Sequence, residues 1–376
     1  MPILKTHRKI ALIHDWLTGM RGGEKVLEVL CELFPKADLY TLVHVPGQVS
    51  SIIESHRIFT SPLQAVPQIG RTYRYLLPLM PWAIEHFDFS SYDLLISTSH
   101  CVAKAAKPGK DARHVCYCHT PMRYIWDQYD SYFAPGRASF PVRMLMNMLR
   151  APLQRWDVST TSRVHHFIAN SENVRARIRR LYQREADVIY PPVDVDFYSA
   201  GLTPRRPAQE AFYLIVSALA PYKRVDIAIE AFRRLGKKLV VVGEGQNSKS
   251  LRDSAGPQVQ FLGWLSNQEL RSYYQRCQAL VFPGEEDFGI VPLEAMSAGC
   301  PVIAFRKGGA LETVLENQTG LFFSAQTPES LMDAVQRFEN TSFNSLTISK
   351  HAERFSRQRC ASAFRSLFIE YKEEMS

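Results

Sequence analysis

Short apolar segments alternate with amphipathic segments along this chain, and this alternation restricts the fold more than any other feature. The first segment, "KIALIHD" (residues 9–15), predicts a strand, and the following "EKVLEVLCELF" has apolar residues at helical spacing. Further strands are predicted at residues 39–43, 94–98, 114–118 and 166–169, with helical patterns between them. Short buried strands that alternate with helices indicate a doubly wound, largely parallel sheet.

A second series of the same kind follows residues 190–212, "YPPVDVDFYSAGLTPRRPAQEAF", a segment with four prolines that we predict to be a linker. After it come the strand segments "FYLIVSA", "KLVVVGEG", "VQFLGW", "ALVFPG" and "PVIAF", with helical segments between them. The predicted fold class is therefore α/β, with two Rossmann-like domains that face a cleft and bind ligands at the carboxyl ends of their strands. We place the domains at residues 1–195 and 205–355, and expect a final helix at residues 356–376 to pack back on the first domain.

Length and composition set outer bounds on the class of protein. A chain of 376 residues favours two domains over a single core. The apolar runs, such as "LVVV", are too short to cross a bilayer, and the N-terminal segment "MPILKTHRKIALIHDW" is not expected to be a secretory signal. Seven scattered cysteines do not suggest a disulfide framework, so a reducing, cytoplasmic compartment is expected.

The formal net charge of +8 is compatible with nucleic acid, an anionic membrane or phosphorylated substrates as partners. Much of it lies in residues 141–184, where Asp157 and Glu172 are the only acidic residues and the arginines are 143, 150, 155, 163, 175, 177, 179, 180 and 184. Aromatic residues do not interleave with these arginines as on a single-strand binding platform, and no nucleic-acid motif is recognised. We therefore expect no nucleic-acid partner.

The segment "GEEDFGIVPLEAMSAGCPVIAF" carries two glutamates, Glu286 and Glu294, on either side of a predicted helix start. Proline suits the first helical position and glycine the end of a helix, so the helix is predicted at residues 292–298. Free amides at a helix start bind phosphate oxygens, and carboxylates accept hydrogen bonds from hydroxyls, which together suit a nucleotide sugar. In the alternative interpretation, Glu294 only stabilises the helix, either by interaction with the helix dipole or as the glutamate of an incomplete capping box.

The same segment resembles the E-x7-E signature of retaining GT-B glycosyltransferases of family 4. The similarity extends over nearly the whole chain through "IANSENVRARIRRLY", "VIYPPVDVDFY", "VSALAPYKRVDIAIEAF", "VVVGEG" and "FLGWLSNQEL", in the order found in the family. Within it, "HDWLTGMRGGEKVLEVL" and "CYCHTPMRYIWD" are most similar to bacterial O-antigen mannosyltransferases and rhamnosyltransferases that use GDP-sugars. The resemblance implies an acceptor-binding first domain and a donor-binding second domain.

The resemblance also assigns roles to residues of the second domain. Glu294 would bind the ribose hydroxyls, and Glu286, with the amides near Phe288, Gly289 and Ile290, would hold the hydroxyls of the donor sugar. Lys223 in "APYKRVD" would neutralise the diphosphate, which gains negative charge as it leaves. In the alternative reading, Lys223 is a solvated loop residue.

One position departs from the family pattern. Many relatives have an arginine where Ala218 stands, five residues before Lys223. Arg224 supplies a nearby charge that either replaces this arginine or points to solvent. The sequence leaves both alternatives open.

In the first domain, Gly22 and Gly23 at the start of the first helix would let backbone approach a phosphate. Their spacing is not G-x-G-x-x-G, so a dinucleotide cofactor is not indicated. By resemblance, His119 in "CHTP" touches the transferred sugar. Cys116 and Cys118 precede it, but strand alternation places them on the opposite face, and without a second ligand cluster we expect no zinc site.

The family resemblance implies a metal-independent reaction in which GDP departs through an oxocarbenium-like transition state. No carboxylate is clearly placed as a nucleophile on the opposite sugar face. The implied route is front-face attack by the acceptor hydroxyl, with retention of configuration and no cofactor.

Two segments, residues 70–82 and 141–156, mix arginines with large apolar residues. They are either buried helices with snorkelled arginines or a patch that rests on an anionic membrane and receives a lipid-linked glycan. Because family acceptors are lipid-linked, we favour the membrane patch. The expected location is then the cytoplasmic face of the inner membrane, with an undecaprenyl-diphosphate-linked glycan as acceptor in lipopolysaccharide synthesis.

Three rival functions remain to be distinguished. The first is a UDP-sugar-dependent transferase of the same fold. A nucleotide-sugar epimerase or dehydrogenase would need a GxGxxG-type loop and a Tyr-x-x-x-Lys pair, and neither is found in the first domain. A non-catalytic glycan-binding relative would not need an intact donor site.

Overall fold

A computed structural model describes residues 9–202 and 211–374, with side chains up to residue 369. The described residues form two compact units, one comprising residues up to Pro192 together with those from Gln358 onward, the other Val193–Arg357. Parts of the predicted N-terminal segment and linker, residues 1–8 and 203–210, lie outside the described residues.

The first unit contains a seven-stranded parallel sheet in the order β3-β2-β1-β4-β5-β6-β7. Its strands are β1 Ile10–His14, β2 Asp38–Thr41, β3 Ile58–Thr60, β4 Leu94–Ser99, β5 Arg113–Cys118, β6 His166–Ala169 and β7 Ala186–Val188. Five of these were predicted from apolar runs. The other two, β3 and β7, are three-residue edge strands that are only partly buried, so they lack such a run.

Helices cover both faces of this sheet. They are α1 Gly22–Leu33, α2 Ser51–Glu54, α3 Ile69–Thr72, α4 Met80–Glu85, α5 Tyr129–Phe133, α6 Phe140–Ser159 and α7 Glu172–Tyr182. In α1 the residues at helical spacing, Val26, Val29, Leu30 and Leu33, are all buried against the sheet. Burial of this apolar stripe is the main contribution that holds the helix, because short helices are marginal in water.

The second unit contains a six-stranded parallel sheet in the order β10-β9-β8-β11-β12-β13. Its strands are β8 Phe212–Val216, β9 Lys238–Val242, β10 Val259–Gly263, β11 Leu280–Phe282, β12 Val302–Phe305 and β13 Gly320–Phe323. The predicted α/β fold with two doubly wound parallel sheets is therefore confirmed. The edge strand β13 was not predicted.

The helices of the second unit are α8 Val195–Ser199, α9 Val225–Leu235, α10 Ser248–Ser254, α11 Asn267–Arg276, α12 Ile290–Ser297, α13 Ala310–Thr313, α14 Pro328–Glu339 and α15 Ser345–Ala352. The first of these lies within the segment predicted to be a linker. Because its N-cap Asp194 accepts a hydrogen bond from the Phe197 amide, this part of the segment has a defined conformation.

The last helix, α16 Arg357–Glu374, packs within the first unit. Cys360, Phe364 and Phe368 lie in the core that covers one face of the first sheet. The Phe368 ring meets Phe34 edge-on at 5.0 Å between centroids, and Phe364 lies 5.6 Å from Tyr117. Among the described residues, no helix combines the length and apolar character needed to span a membrane.

Each sheet has one point where the strand order reverses, between β1 and β4 in the first unit and between β8 and β11 in the second. At such a point the loops on the carboxyl ends diverge to opposite faces and leave a crevice, where ligands of open α/β sheets bind. We therefore expect functional residues on the loops that follow these four strands.

Candidate active site

Lys223 and Glu286 lie on the two loops that flank the reversal point of the second sheet. Lys223 follows β8 on a short 3-10 turn, and Glu286 follows β11. The Lys223 ammonium contacts the Oε1 atom of Glu286. Gly284 permits this contact, because a Cβ there would lie 3.0 Å from the Cα of Lys223. The structure thus brings together two residues predicted separately.

The loop Lys307–Gly309, which follows β12, supports Glu286 from the other side. The Gly309 amide donates a 2.9 Å hydrogen bond to the Glu286 carbonyl, and a Cβ at Gly308 would lie 2.3 Å from the same oxygen. Lys307 Nζ lies 3.0 Å from a carboxylate oxygen of Glu285. Sequence reasoning missed this loop, although paired glycines after an apolar strand signal a close backbone approach.

The helix near these residues begins earlier than predicted. It starts at Ile290 and not at Pro292, because Gly289 adopts a φ of +91° that turns the chain into the helix two residues sooner. Pro292 is therefore the third helical residue, where its missing amide hydrogen still costs no intrahelical bond. The first amides of the helix, starting with that of Ile290, have no intrahelical acceptor and can bind an anion.

Glu294 is correspondingly farther from the helix start than predicted. It lies in the second turn, so the capping-box reading is wrong and no acidic residue occupies the first turn. Its side chain is 6 % exposed and accepts a 3.4 Å hydrogen bond from the Tyr274 hydroxyl. Burial and the Glu294 charge raise the pKa of both Tyr198 and Tyr274 well above the ordinary value, so both hydroxyls remain protonated donors.

The basic residues near Lys223 are engaged differently. Arg224 has a left-handed φ of +51°, and its guanidinium pairs at 3.2 Å with Asp226, two residues along the chain. Ala218 is exposed on the preceding loop. Lys223 is thus the predicted cation that contacts Glu286, whereas Arg224 pairs locally.

In the first unit, His119 lies directly after β5 and above the start of α1. Its Nε2 atom is buried and has no hydrogen-bond partner among the described residues. A Cβ on Gly23 would lie 3.4 Å from this atom, so the glycine allows the close approach, and Gly22 is the first helical residue. Burial lowers the pKa of His119 to about 3. The imidazole is therefore neutral near pH 7.

Three further residues lie beside His119, and sequence reasoning did not single them out. His14 is the last residue of β1, Asp15 follows it, and His100 follows β4. The ring centroid of His100 lies 6.1 Å from that of His14 and 6.2 Å from that of His119. A signal was available in the sequence, since "HD" and "SH" come at the ends of apolar runs that predict central strands.

The two cysteines before His119 are the last and third-last residues of β5. Cys116 and Cys118 are buried in the strand, and burial raises the pKa of the Cys116 thiol to about 12. Among residues 9–202 and 211–369, no group of three His, Cys, Asp or Glu side chains is arranged to hold a metal ion.

Both units match family models. Residues 20–197 match the family described as "Glycosyltransferase Family 4", and residues 203–359 match "Glycosyl transferases group 1". The solved structure of a sucrose-phosphate synthase from Thermosynechococcus elongatus superposes with a TM-score of 0.72, covering 98% of this chain and 100% of that one at 18% identity. The chain has the GT-B glycosyltransferase fold.

Curated relatives of this GT-B protein include mannosyltransferases. It is 26% identical over 289 residues to the human α-1,3/1,6-mannosyltransferase ALG2, covering 68% of this chain and 65% of that one. It is 31% identical over 192 residues to a GDP-mannose-dependent α-(1-6)-phosphatidylinositol monomannoside mannosyltransferase of Mycobacterium tuberculosis, covering 44% and 50% of the two chains. The chain thus spans less than two thirds of the length of either relative.

Proposed function

We propose that the protein is a retaining glycosyltransferase that moves a mannosyl or 6-deoxymannosyl (rhamnosyl) residue from a GDP-sugar to a lipid-linked glycan. The observation that carries this proposal is the Lys223–Glu286 contact at the reversal point of the second sheet. A cation, a carboxylate and the amides that begin α12 are the groups needed for a diphosphate linked to a sugar.

Each of these groups has a distinct task in the proposed reaction. The bond from the anomeric carbon to the diphosphate oxygen breaks, and the negative charge that grows on the diphosphate is stabilised by Lys223 and the α12 amides. Glu286 positions the ammonium and accepts hydrogen bonds from sugar hydroxyls. Glu294, with Tyr198 and Tyr274 donating to it, forms the buried acceptor for the ribose hydroxyls.

His119 of the first unit is proposed to contact the transferred sugar. Because its imidazole is neutral, it interacts with a hydroxyl by hydrogen bonding and does not bring a positive charge near a developing oxocarbenium ion. The acceptor hydroxyl attacks from the face that the diphosphate leaves, its proton passes to the departing phosphate oxygen, and configuration is retained. Protein cations neutralise the phosphate in this scheme, so we propose a metal-independent reaction.

The choice of donor follows from the relatives. The mycobacterial relative is named as GDP-mannose-dependent and the human one as a mannosyltransferase, which supports a GDP-mannose or GDP-rhamnose donor. A UDP-sugar is the alternative, since the groups at the second sheet recognise a diphosphate and a ribose that both donors share.

The proposed acceptor is an undecaprenyl-diphosphate-linked glycan, met at the cytoplasmic face of the inner membrane during O-antigen synthesis. The helix α6 supports this proposal, because Phe140, Met144 and Met148 are 72%, 57% and 67% exposed next to Arg143. Apolar residues beside arginines suit an interfacial helix. Arg150 does not join them, since it donates to the Ile125 carbonyl and stacks on Tyr129.

The proposal is tested by incubation of the protein with GDP-mannose, GDP-rhamnose, UDP-glucose and UDP-galactose, with hydrolysis and transfer scored by mass spectrometry. We expect turnover of a GDP-sugar, reduced strongly in Lys223→Met. Lys237→Met is the matched control, because Lys237 also pairs with a glutamate of the second unit, Glu339, at 2.6 Å. Turnover of a UDP-sugar alone would favour the alternative donor, and tight binding without turnover would favour a glycan-binding relative.

A further inference from the structure

The reversal point of the first sheet carries an Asp–His pair to which nothing above assigns a role. Asp15 follows β1 and His100 follows β4, the two strands between which the order reverses. His100 Nδ1 lies 3.1 Å from Asp15 Oδ2. The pair therefore occupies the place in this unit where a substrate of a doubly wound sheet binds.

Asp15 is held in one orientation by backbone amides. Its Oδ2 atom accepts from the amides of His100 and Cys101 at 2.7 and 2.9 Å, and Oδ1 accepts from those of Val102 and Ala103 at 2.7 and 2.8 Å. Four amide hydrogen bonds to its two oxygens favour the ionised form of this buried carboxyl. The carboxylate is a fixed acceptor facing the imidazole.

A fixed carboxylate determines the tautomer of His100. An ionised carboxylate only accepts hydrogen bonds, so the nitrogen that lies beside it, Nδ1, is the one favoured to carry the proton. In the unprotonated form of the ring, the other nitrogen, Nε2, then carries the lone pair. The Trp16 ring packs against His100 in a T-shaped arrangement, at 4.4 Å between ring centroids, and restricts rotation of the imidazole further.

His100 differs from the two histidines beside it in its access to solvent. The His14 side chain is fully buried, and its Nδ1 pairs with the Thr98 hydroxyl at 2.7 Å. The Nε2 of His119 is buried against Gly23. The His100 side chain is 25% exposed, so it is the best placed of the three to meet a second substrate.

We infer that His100 Nε2 accepts a hydrogen bond from the attacking hydroxyl of the acceptor glycan, and that Asp15 is the residue that positions it. This inference rests on the proposed transferase function and adds the acceptor-orienting group to it. The hydrogen bond directs a lone pair of the hydroxyl oxygen towards the anomeric carbon. As the bond from the anomeric carbon to the phosphate oxygen breaks, that oxygen gains negative charge and takes the hydroxyl proton out of its hydrogen bond with Nε2, while the hydroxyl oxygen forms the new glycosidic bond. His100 therefore ends in its initial protonation state.

The test separates this role from a merely structural one by two isosteric substitutions. The amide of Asn overlaps Nδ1 and can keep the bond to Asp15, whereas the amide of Gln reaches the position of Nε2. We expect His100→Asn and His100→Ala to lower transfer about tenfold or more and to raise the acceptor KM, with His100→Gln recovering part of the activity. A structural role predicts the reverse order, with rescue by Asn.

The acceptor probes are undecaprenyl-diphosphate-linked N-acetylglucosamine, galactose and mannose, and the member that the wild type glycosylates is used throughout. Hydrolysis of the GDP-sugar and the donor KM should change less than about twofold in the His100 variants, because the nucleophile there is water. His44→Ala is the matched control, since His44 pairs with Glu54 at 3.1 Å in the same unit. Thermal unfolding of each variant verifies folding.

The outcomes distinguish the inference from the function on which it rests. A wild type that transfers no sugar to any probe contradicts the proposed function. Transfer by the wild type with undiminished transfer by His100→Ala, or with rescue by His100→Asn alone, overturns the inference and leaves the proposed function intact.

Discussion

The Lys223 ammonium contacts the Glu286 carboxylate across two loops that belong to different strands of the second sheet. The two side chains are 15% and 24% exposed, so the contact is partly shielded from water and is stronger than an ion pair on the surface. The pair couples a group suited to phosphate with a group suited to sugar hydroxyls. Removal of either partner should therefore affect the donor step.

Replacement of Lys223 by Met is expected to lower kcat for GDP-sugar hydrolysis by about 10²–10³-fold, as measured for other single groups that stabilise a transition-state anion. The methionine keeps most of the apolar volume and removes the charge. Steady-state kinetics with Lys237→Met as control measures the effect. A Lys223→Met protein with wild-type kcat would show that the lysine only pairs with Glu286.

Replacement of Glu294 by Ala should weaken GDP-sugar binding by about 1.5–3 kcal/mol, the value of a hydrogen bond to a charged group. Calorimetric titration gives the dissociation constant directly. Tyr274→Phe removes one hydroxyl that donates to Glu294 and leaves the carboxylate in place, so it should change the affinity much less. Equal affinity of Glu294→Ala and the wild type for the GDP-sugar would contradict the proposal that Glu294 binds the ribose hydroxyls.

Sequence patterns predicted the sheets better than the site. A buried strand such as β1 needs an apolar run, which can be recognised in the sequence. The partly exposed strands β3 and β7 need no such run and were therefore not predicted. The sequence placed the start of α12 at Pro292, two residues too late, because proline favours the first helical position. The positive φ of Gly289, which starts the helix earlier, is set by the surrounding structure and is not visible in the sequence. The role of Glu286 in binding the donor sugar stays a prediction. Its contact with Lys223 depends on the order of the strands in the sheet, which no local sequence pattern contains.

The Asp15–His100 pair illustrates the same limit. The two residues are far apart in sequence, and only the parallel register of β1 and β4 makes them neighbours. A sequence can mark polar residues at strand ends as candidates. It cannot say which ends adjoin.

Activity should survive chelation by EDTA. In the proposed reaction the diphosphate charge is met by Lys223 and the amides of α12, so no divalent ion is needed to stabilise the leaving group. Transfer rates before and after dialysis against EDTA test this expectation. Loss of activity on chelation with recovery on addition of Mg²⁺ or Mn²⁺ would refute it.

Stability should fall as the pH is lowered from 7.5 to 5.5, in part through His114. This side chain is fully buried, with Nε2 at 2.8 Å from the Ser97 hydroxyl and Nδ1 at 3.1 Å from the Arg163 carbonyl. Burial lowers its pKa to about 3. The unfolded chain, with a histidine pKa of about 6.5, therefore binds a proton in this range that the folded chain does not.

The sign follows from this difference in proton binding. Because unfolding takes up a proton, the free energy of unfolding is largest above pH 6.5 and decreases as the pH falls towards 3. His114 should contribute about 1.4 kcal/mol to the difference between pH 7.5 and 5.5, measured by urea unfolding. His114→Gln should reduce the pH dependence by that amount, and the exposed His86→Gln should not.

The last prediction concerns the exposed face of α6. Arg143 and Arg155 lie on this helix with Phe140, Met144 and Met148. At an anionic surface each arginine should add about 1 kcal/mol of attraction. Apolar insertion adds to this attraction, so the protein should sediment with phosphatidylglycerol liposomes at low salt. It should leave them near 1 M salt, where the Debye length is about 3 Å.

Reversal of charge at both arginines should reduce sedimentation and transfer to a lipid-linked acceptor, but spare GDP-sugar hydrolysis. Arg179→Glu is the control, because this exposed arginine of α7 pairs with Glu185. A wild type that ignores anionic liposomes even at low ionic strength would show that the α6 face does not dock on membranes.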